Sequence, residues 1–190
     1  MEQEEKEVIA GYAVRISLWI GGKRLIYARS DNPQESHPYM KCICTQNGLL
    51  TEYTDALCSD RYEEIMKRFA EDLRAEAVRL EAEKSAKGDA VAKCFGKDDV
   101  APAPYNRSIK GKVVALKPDA LDDSYRDLSG QLYYVTGGFG ASANSRGSAV
   151  FCTNLHTGKS TRYERMDVMG EVKPERLPEW AKEKAQELLH

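Results

Sequence analysis

Three glycines within four residues, Gly137, Gly138 and Gly140, enclose Phe139 and stand between two apolar runs. Leu132, Tyr133, Tyr134 and Val135 lead in, and Val150 and Phe151 resume after Arg146-Gly147. The pattern predicts a strand, a glycine-rich loop and a second strand. Glycines so crowded serve unusual backbone angles or close approach. A nest of loop N–H groups with Arg146 beside it is able to hold an anion. The stretch lacks the Gly-Lys-Ser/Thr ending of a phosphate-binding P-loop, and no helix pattern follows Gly140 as the dinucleotide fingerprint requires. The plainer reading is a long hairpin loop whose glycines permit a sharp bend. In either reading Phe139 is tucked under the loop or presented as a binding anchor.

A basic and aromatic set surrounds this loop. Arg107, Lys110, Lys112 and Lys117 run without an acidic residue among them, and Arg146, Lys159, Arg162 and Arg165 follow. Tyr105, Tyr133, Tyr134 and Tyr163 are interleaved, as on a face that stacks bases and neutralises phosphates. Two features temper this. From residue 105 to residue 190 there are 13 Lys/Arg against 11 Asp/Glu, and strand parity sends Arg162 and Arg165 to opposite faces. The candidate binding residues are therefore Phe139, Arg146, Tyr133, Tyr134, Arg162, Arg165, Arg107 and Lys110.

Other chemistry is weakly signalled. Asp119, Asp122, Asp123 and Asp127 lack the alternation, central glycine and final glutamate of a calcium loop, so capping and loop solvation account for them. The five cysteines, Cys42, Cys44, Cys58, Cys94 and Cys152, and the three histidines, His37, His156 and His190, are scattered. Zinc sites show tighter pairs. Cys152 and His156 share a strand face but would lie about 13 Å apart on an extended strand, too far for direct activation of a nucleophile. No metal, cofactor or catalytic residue is expected, and the chain reads as a non-enzyme.

The elements that position these residues are α+β. Tyr12, Val14, Ile16, Leu18 and Ile20 alternate with more polar neighbours and predict a strand. Gly21-Gly22 turns it into Lys23 to Arg29, placing Leu18 opposite Leu25, Ile16 opposite Tyr27 and Trp19 opposite Arg24. Tyr39 to Gln46, the turn Asn47-Gly48 and Leu49 to Tyr53 predict a second hairpin. A long helix follows, capped by Ser59 and stopped at Gly88, with Ile65, Met66, Phe69, Leu73 and Leu80 on one stripe. At about 27 residues it spans roughly 40 Å, and its Ala/Glu/Lys/Arg-rich second half is expected to project or to contact the second module. Glu63–Lys67, Glu64–Arg68 and Glu83–Lys87 are spaced for ion pairing along it. Residues 89–105 read as a linker, which divides the chain into modules 1–88 and 106–190. The second module is expected to be a small curved sheet or partial barrel built from short strands, with a C-terminal helix on the stripe Leu177, Trp180, Ala181, Ala185 and Leu188.

Composition bounds the rest. The 190 residues carry a formal net charge of -2, with 31% charged residues, which fits neither a DNA mimic nor a strongly basic nucleic-acid binder. No apolar run is long enough to span a bilayer. The acidic Met1–Glu7 stretch reads as a solvated leader rather than a secretory signal, so the chain is expected in the cytosol where it is made.

Lys112-Val113-Val114-Ala115-Leu116-Lys117-Pro118, Thr136-Gly137-Gly138-Phe139-Gly140, Arg146-Gly147 with Val150-Phe151, and Leu177-Pro178-Glu179-Trp180-Ala181 together resemble a module of small uncharacterised proteins carried on phages, plasmids and conjugative elements of gut Clostridia. The resemblance covers about residues 110 to 189 and transfers no catalytic residue. It implies accessory work in conflict with a host. The first expectation is a stoichiometric inhibitor of a host defence nuclease or its nucleoprotein complex, an anti-CRISPR protein directed at a Cas9-type enzyme. The nuclease's basic grooves would take acidic patches such as Met1–Glu7 or the helix glutamates, while Arg146, Arg162 and Arg165 would touch nucleic acid. A DNA- or RNA-binding accessory protein is the second expectation. An enzyme acting on a phosphorylated small molecule through the glycine loop is the third, and it requires the loop N–H groups and Arg146 to converge.

Overall fold

A computed structural model describes residues 7–47 and 50–188. The chain is α+β and divides into two units, Met1–Glu83 and Lys84–His190. The first holds β1 (Val8–Ile9), β2 (Tyr12–Ile20), β3 (Lys23–Ser30), β4 (Tyr39–Asn47) and β5 (Leu50–Ser59) in one antiparallel sheet, ordered as in sequence. α1 (Tyr62–Ala86) follows.

Alternation places Leu25, Tyr27, Ile16 and Ile43 on one face, where Ile65 and Phe69 of α1 cover them. The expected register holds, with Leu18 opposite Leu25, Ile16 opposite Tyr27 and Trp19 opposite Arg24. The Arg24 guanidinium goes to Glu7 and to Ser17 Oγ. The turn Gly48 and Leu49, residues 1–6 of the acidic leader and His190 lie outside the described residues. β5 runs to Ser59, six residues past its expected end, because Met40 and Lys41 pair with Cys58 and Leu57 beyond a register shift.

Ser59 precedes α1 by two residues more than an N-cap would: the N-cap position falls to Arg61, whose carbonyl accepts from Ile65 N and whose own N–H donates to Ser59 Oγ at 3.1 Å. Gly88 follows the helix with φ +53°. Along the helix Arg61 meets Glu63, Arg68 meets Glu71 rather than Glu64, and Arg79 meets Glu83. Its second half returns to the sheet of its own unit: Arg79 Nη2 donates to the Gly21 carbonyl at 3.0 Å. Glu76 is buried between Lys23 and Arg79. Burial works to raise its pKa, but hydrogen bonds from Lys23 and Arg79 hold it below the usual carboxylate range. Lys41, buried beneath the same helix, is paired with Asp55 and Asp72.

The opposite face of this sheet carries Ile26, Ala28, Met40, Cys42 and Cys44, with Ile9, Tyr12 and Val14 packed against them. β1 and β5 lie at opposite ends of the strand order, yet Val8, Ile9, Tyr53 and Ala56 line one cavity with Met40 and Cys42. The five strands therefore curl into a half-barrel.

The second unit is built on β6 (Val100–Ala101), β7 (Val113–Leu116), β8 (Leu132–Gly137), β9 (Ala149–Asn154), β10 (Ser160–Glu164) and β11 (Val168–Val172). They form an antiparallel sheet ordered β10-β9-β8-β7-β11-β6. Register shifts at Val135/Gly137 and Val168/Gly170 bend it. Val114, Leu116, Tyr133, Val135, Val150 and Cys152 form a core on one face. Ala115, Leu132 and Leu155 form a core on the other, closed by Ala181 and Ala185 of α3 (Glu179–Glu187). Trp180 packs against this second core. Between β7 and β8 lies the short α2 (Leu128–Gln131), capped by Asp127, whose Oδ1 accepts from Gly130 N and Ser129 Oγ.

Residues 89–105, read as a linker, belong to this second unit. Val100 is buried and pairs with Val172 in β6. Gln131, fully buried, accepts from Phe95 N through Oε1 at 2.7 Å, while its Nε2 donates to the carbonyls of Phe95 and Leu116. A two-residue strand has no periodicity to read, so composition alone misplaced the boundary. Replacing Gln131 with Leu leaves three buried backbone groups without their partner, at about 1–3 kcal/mol each before relaxation. Gln131→Leu is expected to lower stability by about 3 kcal/mol in urea unfolding, with accelerated hydrogen exchange at the Phe95 amide. Wild-type exchange at Phe95 would show that the segment is held by other means.

Candidate binding surface around the glycine hairpin

The glycine run closes β8, and a 3-10 turn over Phe139–Ala141 starts the return toward β9. Gly138 has φ +98°, and a Cβ there would stand 2.3 Å from the Ala149 carbonyl oxygen. A Cβ on Gly140 would stand 2.1 Å from the Ser148 oxygen. The two positions let the loop lie directly on the backbone leading into β9, which no side chain would allow. Four N–H groups that follow the glycines are spent within the unit. Ala141 donates to Gly138 O, Ser142 to Phe139 O, Asn144 to Tyr105 O and Gly147 to Ser145 Oγ. The convergence of loop donors and Arg146 on an anion, required for the phosphate reading, is not how these groups are spent.

The loop's rigidity sets the position of Phe139. Its ring is 77% exposed, while its Cβ backs against Gly147. Phe151 on β9 is 50% exposed, and Tyr105 and Met166 are exposed as well. Phe151 and Tyr105 flank the hairpin in the hydrogen-bond network: Gly137 pairs with Phe151, and Asn144 bonds to Tyr105. Arg146, Arg107 and Lys110 are also exposed.

The four other candidate residues are placed differently. Arg165 is 2% exposed and is not available to a partner. Its Nη1 donates to the Gly140 carbonyl at 3.0 Å, and its Nη2 to those of Ala103, Pro104 and Arg107, each at 3.1 Å. The guanidinium carbon stands 5.6 Å from the centre of the Tyr105 ring. Burial pushes its pKa below the usual value and Tyr105 works in the opposite sense, yet a guanidinium so placed keeps its charge. Tyr133 is buried with its hydroxyl 3.0 Å from that of Tyr163, the rings 5.2 Å apart edge to face. Burial pushes both phenols up. Arg162 is exposed but held by Glu164 at 2.5 Å. Tyr134 is half-buried across from Thr153. The structure thus keeps Phe139, Arg146, Arg107 and Lys110 at the surface and moves Tyr133 and Arg165 into the interior. Phe151 and Met166 were not singled out in the sequence; Phe151 was readable there, since its neighbours Val150 and Cys152 must face the core.

The cysteines divide by exposure, with Cys58 exposed and Cys42, Cys44 and Cys152 buried. Cys152 Sγ faces the Thr161 carbonyl at 3.6 Å, and burial pushes its pKa from 9.0 to about 12. His156 lies edge-on to Trp180. Among the described residues no group of three or more His, Cys, Asp and Glu is placed to hold a metal ion. No helix among them is long and apolar enough to cross a membrane.

Comparison with protein-family models, with curated proteins and with solved structures found no match to the chain.

Two outcomes follow from this geometry. Arg165→Lys keeps the charge but loses the planar fork, and is expected to cost about 3–5 kcal/mol in chemical denaturation; a loss under 1 kcal/mol would mean that the four carbonyls find other donors. For Cys152 the folded state holds its proton more tightly than the unfolded chain. Its contribution to stability is complete below pH 9 and is lost as pH rises toward 12. Iodoacetamide at pH 8.5 is expected to label Cys58 first and Cys152 only on unfolding, as read by peptide mass spectrometry. Early labelling of Cys152 would contradict its burial.

Proposed function

We propose that the protein acts by binding a protein partner through the glycine hairpin of its second unit, with Phe139 as the anchor. One observation carries this: an aromatic ring left in water on a loop whose backbone is fixed at Gly138 and Gly140. A large apolar side chain held out by a rigid loop loses little conformational freedom on docking, which is how interface anchors concentrate binding energy. The exposed Arg146 supplies charge at the rim.

The resemblance to mobile-element proteins makes the partner a host defence nuclease of the Cas9 type, free or with its guide, inhibited stoichiometrically. The hairpin geometry supports the binding step, and the resemblance supports the choice of partner. A second reading has its own support. Thr136, Phe151 and Arg162 share one outer face of the sheet across three strands, an arrangement on which a single-stranded base is able to stack.

Purified protein is expected to retain the Cas9-type nuclease in a pull-down and to abolish DNA cleavage at one equivalent. Phe139→Ala is expected to weaken that complex about thirtyfold or more without changing the melting temperature, since the ring supports no core. Cleavage unaffected by excess protein would reject this partner. Salt-dependent binding of single-stranded DNA or RNA, lost in Phe151→Ala and retained in Phe139→Ala, would favour the second reading instead.

A further inference from the structure

A cavity of about 490 Å³ opens elsewhere in the second unit, over the strand β11. Val100 and Met169, both packed against the inner core, contribute its apolar base. Pro102 and Pro118 flank it with rings of fixed backbone angle, and Lys97, Lys117 and Asp119 bring the charge. The volume falls within the range of small-molecule sites.

Both lysines stand on backbone that is already fixed. Lys97 opens a 3-10 turn in which Gly96 N donates to Asp99 Oδ2. Lys173 N donates to the Asp99 carbonyl, its Nζ to that of Asp98, and Arg176 pairs with Asp99. Lys117 N donates to the Asp167 carbonyl, and the preceding Leu116 carbonyl is held by Gln131. Neither ammonium has a hydrogen-bond or ion-pair partner among the described residues. Of the two acidic side chains of the adjoining turn, Asp99 is committed to Arg176 and to Gly96 N, and the exposed Asp98 does not line the cavity. Asp119 alone lines the cavity with opposite charge, so the mouth carries a net single positive charge.

We infer that this cavity binds a small amphiphilic anion: an apolar ring system bearing one carboxylate, sulfonate or phosphate. The ring lies against Met169 and Val100 between the two prolines. The acidic group sits between the Lys97 and Lys117 ammoniums, where it gains charge-assisted hydrogen bonds. Both bases and walls are preformed, so binding requires side-chain rotation and no backbone rearrangement. The site is independent of the contact proposed for the glycine hairpin, and its failure would leave that reading untouched.

The probe is 8-anilinonaphthalene-1-sulfonate, followed by fluorescence with the full chain, against uncharged N-phenyl-1-naphthylamine. One molecule of the sulfonate is expected to bind per chain. The double change Lys97→Gln with Lys117→Gln is expected to weaken it about tenfold or more, leaving the melting temperature and the weaker binding of the uncharged dye unchanged. Met169→Trp fills the base and is expected to abolish both. Equal affinity for the two dyes, or sulfonate binding unaffected by the double change, overturns the proposal. So does a signal removed by Ala56→Trp, which would place the dye in the half-barrel cavity of the first unit.

Discussion

A buried cation without a buried anion governs the second unit. Arg165 leaves water completely and exchanges its hydration shell for four backbone carbonyls. Those oxygens come from the 103–107 segment and from the glycine hairpin, two stretches with no regular ladder of their own. Each alone has buried carbonyls to satisfy. One planar fork satisfies both, and no other side chain presents five donors in a fixed plane. The exposed ring of Phe139 is positioned from beneath by this contact, since Gly140 is one of its acceptors. A surface anchor and a buried charge are thus parts of one arrangement.

The same unit explains why its sheet needs covering on both sides. Val114 and Ala115 are adjacent in β7 and both fully buried, as are Tyr133 and Leu132 in β8. Such strands require a helix on one face and loops on the other. α3 supplies the first through Ala181 and Ala185, small residues that allow close approach. The second is closed by Ile109, Leu121 and Ala141, drawn from connecting segments, which is why residues outside regular elements are so firmly hydrogen-bonded here.

Much of this was legible beforehand. The hairpins of the first unit, the long helix and its glycine stop follow from alternation, a 3.6-residue stripe and local turn chemistry acting together. β1 and β6, two residues each, leave no period to detect; β1 pairs with the adjoining β2, and β6 is held by β11, far along the chain. Around the hairpin, Phe139, which the sequence left either tucked under the loop or presented, lies at the surface with Arg146. Tyr133 and Arg165 did not. Parity correctly separated Arg165 from Arg162, but it assigns residues to faces without saying which face is covered. When both are covered, an inward tyrosine and an inward arginine look the same in sequence as a binding pair.

β5 closes the first sheet at its edge with side chains exposed on both faces over most of ten residues. Such an edge invites another chain to extend the sheet. Asp55 interrupts it: φ is +52°, the register shifts opposite it, and its carboxylate turns back to Lys41. The kink breaks the run of evenly spaced backbone donors and acceptors that a second strand would need. One aspartate held at positive φ thus blunts the edge that β5 would otherwise offer to another strand. A β-branched residue at that position disfavours φ +52° and would straighten the strand, so the edge that Asp55 interrupts would run unbroken.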